Sequence, residues 1–168
     1  MTVCGFLLAG ASASGRDSEA QHQQQIQAEP NPIKKAKLEI KLSKLQLGDS
    51  KEAYKQGHID TGAKLLGDFM GTIETTWKQL QDSGRQASRQ PDGFRDLEIA
   101  LREDVRALQD MQRTVSYFDR APLGKAEERI EQIRAEVLRA LFPGGGTRSR
   151  KHGATPPSDN PSSSPAVR

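Results

Sequence analysis

Seven apolar residues, Ile59, Ala63, Leu66, Met70, Ile73, Trp77 and Leu80, follow one another at alternating spacings of four and three. Only a helix gathers that spacing onto one side, and a stripe so long must be covered by other helices to be stable in water. The ladder therefore limits the chain to helix-on-helix architectures. Composition points the same way. Leu, Ala, Glu, Lys, Arg and Gln are abundant and form helices well. Aromatic residues make up 5% and apolar residues 34% of the 168 positions, enough for one modest aliphatic core.

The chain divides into three regions. Residues 1–13 carry the apolar run Val3-Cys4-Gly5-Phe6-Leu7-Leu8-Ala9-Gly10 and close on Ala11-Ser12-Ala13, the small-x-small pattern that signal peptidase cuts after. A signal peptide is expected there, truncated because the first basic residue, Arg16, lies beyond the cut rather than ahead of the run. The expected location is accordingly periplasmic or extracellular. The run is too short to span a bilayer, and no transmembrane span is expected. Cys4, the single cysteine, would leave with the leader, and with it any disulfide, thiolate nucleophile or cysteine-based metal site. Residues 14–30 read as a disordered linker. At the other end, 143–168 is rich in Gly, Pro and Ser with almost nothing apolar to bury, and a disordered tail is expected.

Between 31 and 142 the periodicity predicts four helices, over about 33–56, 60–84, 93–118 and 122–141. Asn31 can cap the first with Pro32 in its first turn. Its stripe is Ile33, Ile40, Leu47 and Tyr54, with Leu38, Leu42 and Leu45 on another side and a kink expected at Gly48-Asp49-Ser50. Gly57 ends it, Asp60 can cap the ladder helix, and Asp92 the third. The third stripe is Phe94, Leu97, Leu101, Val105, Leu108, Met111, Val115 and Phe118. Asp119 or Ala121 caps the fourth helix, whose stripe is Ala126, Ile130, Ile133, Val137 and Leu141. Helices of similar length joined by short loops give an all-α fold, an antiparallel up-down four-helix bundle of two hairpins. The competing arrangement is a pair of hairpins that completes its core only as a dimer.

Site chemistry is sparse. His22, His58 and His152 have no helical partner at the spacing of a metal site, and Glu103-Asp104 and Glu127-Glu128 are adjacent, so their side chains diverge by about 100° on a helix. No catalytic residue, cofactor or metal is expected, and the protein is read as a non-enzyme. Asp104 falls near the third stripe and is placed at its boundary beside a lysine of the first helix, with Val105 in the core. Arg95, Arg102, Arg106 and Arg113 share a face interleaved with acids, Glu98 being four residues before Arg102. Gly67 and Gly71 suggest close approach of a neighbouring helix. The +3 net charge is spread as −2 over 1–32, +2 over 33–142 and +3 over the tail, which gives nucleic-acid binding little support. Anion contact is expected, if anywhere, at Lys34, Lys35, Lys37, Lys41 and Lys44 of the first helix and at Arg148, Arg150 and Lys151 of the tail.

Ala53-Tyr54-Lys55-Gln56-Gly57-His58-Ile59-Asp60 resembles the inter-helix turn of a tetratricopeptide repeat, which implies a helical hairpin and nothing about peptide binding. Across 29–142, Ala36-Lys37-Leu38-Glu39-Ile40-Lys41-Leu42-Ser43-Lys44-Leu45, Leu97-Glu98-Ile99-Ala100-Leu101-Arg102-Glu103-Asp104 and Glu136-Val137-Leu138-Arg139-Ala140-Leu141-Phe142-Pro143 carry a resemblance to a group of small exported all-helical bacterial proteins of unassigned function. That resemblance implies no activity. The expected role is protein–protein contact or self-association in the cell envelope. The alternative is contact with an anionic polymer or membrane surface through the lysines and the tail. An enzyme with an acidic site in the bundle core is a remote third.

Overall fold

The computed structural model of the protein describes residues 13–144, with side chains from residue 19 on. The expected signal peptide and the basic tail residues Arg148, Arg150 and Lys151 lie outside the described residues. Among the described residues five α-helices follow in order: α1 (Ala13–Ala28), α2 (Pro32–Lys55), α3 (Ile59–Asp82), α4 (Phe94–Thr114) and α5 (Arg120–Leu141). A single 3-10 turn, Tyr117–Asp119, precedes α5.

α1 corrects the linker expected over 14–30. Its Gln- and Ala-rich sequence favours helix, and the helix docks on α2, with Gln46 Nε2 donating to Glu19 Oε1 at 3.0 Å. Ile26 reaches the α2–α3 groove beside Leu42.

α2 starts as its sequence dictates. Asn31 Oδ1 accepts from the backbone N–H groups of Ile33 at 2.9 Å and Lys34 at 3.3 Å, with Pro32 as first helical residue. The helix continues unbroken through Gly48-Asp49-Ser50. Gly57 ends α2 as expected, in the left-handed conformation at φ +81°, but the expected aspartate N-caps make no side-chain cap bond. His58 precedes α3, leaving Asp60 inside the first turn, and Asp119 precedes α5 without a side-chain cap bond. Gly93, not Asp92, occupies the cap of α4 at φ +81°, and a Cβ there would come within 3.0 Å of both Ile33 and Leu80. Close packing of three elements, together with the left-handed backbone, selects glycine at that corner.

Hydrogen bonds fix the directions. Ser50 Oγ donates to the Gly62 carbonyl, Thr72 Oγ1 to Gln46 and Gln79 Nε2 to Glu39, so α2 and α3 form an antiparallel hairpin. Gln109 and Gln112 both donate to Glu127, and Arg134 to Glu98, which makes α4 and α5 a second one. Between hairpins, however, like lies beside like. Lys44 reaches Glu103 and Trp77 reaches Glu136, each across 59 residues, and Lys37 pairs with Asp96 at the same offset. Hence α2 runs parallel to α4, and α3 parallel to α5. The connection 83–93 allows this, being long enough to carry the chain from the end of α3 to an α4 that packs on α2. Leu-Glu-Ile-x-Leu occurs at both 38–42 and 97–101, again 59 apart.

The core follows the stripes with two shifts. Leu66, Ile73, Trp77 and Leu80 are buried, but so are Phe69 and Thr76, which lie off the ladder. With α2 on one side and α5 on the other, α3 buries a face wider than one stripe. In α2, Ile40, Leu42, Leu47 and Tyr54 are buried while Leu45 is 40% exposed. The α4 stripe is buried from Phe94 to Val115, and its expected last member, Phe118, stands outside the helix, 88% exposed. Gly62 accounts for the close turn: a Cβ there would come within 2.7 Å of the Tyr54 ring. Gly67 and Gly71, expected to admit a neighbouring helix, have nothing within 4 Å of that position.

Candidate functional site

Of the lysines of α2, all but Lys35 fall at positions 34, 37, 41, 44, 51 and 55, a heptad-like stripe interrupted only by Gly48. Part of that stripe lies alongside acids of α4, with the lysines still about half exposed. Lys44 Nζ lies 2.8 Å from Glu103 and Lys37 Nζ lies 3.4 Å from Asp96. Two of the five candidate anion contacts in α2 thus pair with acids of the other hairpin. Lys34 and Lys41 are exposed and have no ion pair among the described residues, and Lys35 lies near Glu39, whose carboxyl it favours in the charged form. Beside the same seam, Arg102 and Arg106 stand near Glu103; the Lys44 bond, more than these arginines, holds its carboxyl below the usual range. The expected Glu98–Arg102 pair does not form, because Glu98 accepts from Arg134 of α5 at 3.2 Å, a better shielded partner.

Asp104 departs from its boundary placement. It is 3% exposed, its Oδ2 has no hydrogen-bond partner, and Val105 is buried beside it. Burial pushes its carboxyl up to about 7, against the pull of Lys44 and with a further push from Glu103. A cavity of about 220 Å³ between α2 and α4 adjoins it, bordered by Lys44, Gly48 and Lys51. Lys44 is half exposed and already bonded to Glu103, so the acid lacks the buried basic partner that an acid/base site would need. Among the described residues no cluster of three or more His, Cys, Asp or Glu is placed to hold a metal ion. No described helix is long and apolar enough to cross a membrane.

Polar residues buried in α2 were not foreseen. Glu39, Ser43, Gln46 and Ser50 are at most 4% exposed and face α3, where Gln79, Thr72 and the Gly62 carbonyl meet three of them. Their spacings of four, three and four repeat the ladder's rhythm in polar residues, a signal that a hydrophobicity pattern passes over. Trp77 is a core residue with a wet edge. Its ring meets Phe94 edge-on at 6.2 Å between centroids, and its Nε1 donates to Glu136 at 2.8 Å.

Among the described residues, the most exposed large apolar surface stands at the α4–α5 turn. α4 ends at Thr114, Val115 turns to extended backbone (ψ 157°) and is buried, and the chain then projects Tyr117 and Phe118, 78% and 88% exposed. The two rings meet edge-on at 5.9 Å. The turn is held by Asp119 N–H to the Ser116 carbonyl at 3.0 Å and Arg120 Nε to the Val115 carbonyl at 3.4 Å. Phe118 lies three residues after Val115, in step with the α4 stripe, so periodicity assigns it to the core. Only the end of the helix at Thr114 releases it. Comparison with protein-family models, with curated proteins and with solved structures finds no match for this chain.

Proposed function

We propose that this protein is a non-enzymatic helical interaction module that docks on a partner protein through the Tyr117–Phe118 turn. The observation that carries the reading is two adjacent aromatic rings, nearly fully exposed, on a turn anchored by a buried valine and two long helices. Rings of this size bury about 150–250 Å² each and anchor many interfaces, and a held turn loses little entropy on docking. The fold gives the role a rigid base in two hairpins tied in register. Export to the cell envelope is part of the reading: cleavage after Ala13 would leave α1 attached for its packing on α2.

A photo-crosslinking amino acid at position 118, expressed in the native host, tests it. A discrete protein adduct, absent with the same probe at exposed Gln90, supports docking; an adduct with a second copy of the chain identifies self-association, which light scattering would register. Adducts to lipid alone, or none, refute it.

One observation favours a second reading, contact with an anionic surface. Lys34 and Lys41 of α2 and Arg95, Arg102 and Arg106 of α4 are exposed without an ion pair among the described residues, on two adjacent helices. Steeply salt-dependent binding to anionic vesicles or polymers, lost on neutralising these five, distinguishes it from the aromatic turn.

A further inference from the structure

A groove of about 410 Å³ runs between α1, α2 and α3, on a different part of the molecule from the aromatic turn. Cavities of about 300–1,000 Å³ accommodate small organic ligands. Its walls include Ile26 of α1, Leu42 and Glu39 of α2, and Gly67, Asp68 and Gly71 of α3. Three features make it more than a gap between helices.

Glycine in a helix interior costs roughly 0.5–1 kcal/mol against alanine, and Gly67 and Gly71 sit one turn apart in mid-α3. No close approach within the chain requires them, since a Cβ at either would meet nothing within 4 Å. What they do is keep one wall low. Glu39, by contrast, is 3% exposed; Oε1 accepts from Gln79 at 2.8 Å, while the buried Oε2 makes no hydrogen bond among the described residues, with Thr76 and Lys35 as its polar neighbours. A buried carboxylate oxygen without a donor is costly, and a donor or positive charge brought to it is correspondingly favoured. Finally, the lining contains Glu39 and Asp68 and no cationic side chain, while Ile26 and Leu42 offer aliphatic surface.

We propose that this groove is a binding site for a small organic ammonium ion with an aliphatic body, its N–H groups donating to Glu39 and its chain lying along Ile26 and Leu42 over the glycine wall. An anion is disfavoured by both acids. A divalent metal would need several converging oxygen or nitrogen ligands, and no such cluster is present among the described residues. The ammonium meets the Glu39 carboxylate at the groove wall and leaves apolar surface for the rest of the molecule.

Isothermal titration calorimetry of the whole chain with hexylammonium chloride, hexan-1-ol and sodium hexanoate tests the proposal. Hexylammonium should bind at least about tenfold more tightly than either control, as expected for a charge-assisted hydrogen bond. Glu39→Gln, nearly isosteric, should weaken it roughly tenfold or more. Gly71→Leu, at an exposed position where leucine is the better helix former, should abolish it with helix content unchanged by circular dichroism. No binding, equal affinity for the three probes, or wild-type affinity in folded Glu39→Gln would overturn the assignment.

Discussion

Replacing Asp104 with asparagine should make the protein more stable at pH 8 and leave it unchanged near pH 4. The carboxyl is moved from the ordinary 3.8 to about 7 in the folded chain, chiefly by burial. A raised acid binds its proton more tightly folded than unfolded. Its contribution is therefore complete below about pH 4, declines as pH rises through the window between the two values, and is fully lost above about 7. A separation of about three units at about 1.36 kcal/mol each sets a ceiling of about 4 kcal/mol. Lys44 and Lys51 border the cavity from α2 and Glu103 adjoins on α4, and any movement of a lysine toward the ionised acid would lower the figure. Urea unfolding followed by Trp77 fluorescence at pH 4, 5.5, 7 and 8 reads the effect, because Trp77 is the only tryptophan and is 6% exposed. Glu39 also titrates upward through burial, so the wild-type slope alone is not diagnostic. The difference between wild type and Asp104→Asn isolates the one group. Stability curves that stay parallel from pH 4 to 8 would refute a buried, unpartnered Asp104.

Other outcomes follow from the same packing. Gly62→Ala should cost about 1–3 kcal/mol by forcing the Tyr54 ring aside, whereas Gly67→Ala should stabilise by roughly 0.5–1 kcal/mol, both measured by urea denaturation. Asn31→Ala should lose about 0.5–2 kcal/mol, with hydrogen exchange speeding at the first turn of α2. A double-mutant cycle on Glu98 and Arg134, a half-buried pair, should give a coupling of about 1 kcal/mol; a value near zero would show that the pair does not join α4 to α5. Tyr117→Ser with Phe118→Ser should leave thermal stability within a degree or two, since neither ring is in the core, while abolishing co-purification of the protein that a probe at position 118 captures.

Much of the fold was legible because α-helices advertise themselves locally. The ladder of α3, the stripe of α4 from Phe94 to Val115 and the Asn31-Pro32 start each depend on residues a few positions apart. Such patterns establish that a helix exists and which broad side is apolar. The docked α1 was hidden because a Gln-rich segment has a weak stripe of its own, and its stability comes from α2.

What sequence by itself determined, then, is the set of four bundle helices, the two antiparallel hairpins that their short turns impose, and most of the apolar core. Tertiary structure alone decided how those hairpins stand together. Lys37 and Lys44 read as candidate anion contacts until α4 arrives 59 residues later with Asp96 and Glu103 in register. Asp104 reads as a boundary acid until α2 packs over it and leaves it 3% exposed. Phe118 reads as core until α4 ends one turn earlier than its periodicity. In each case the missing information is non-local. Periodicity reports the side a residue occupies on its own helix, but burial, charge pairing and exposure depend on which other element meets that side.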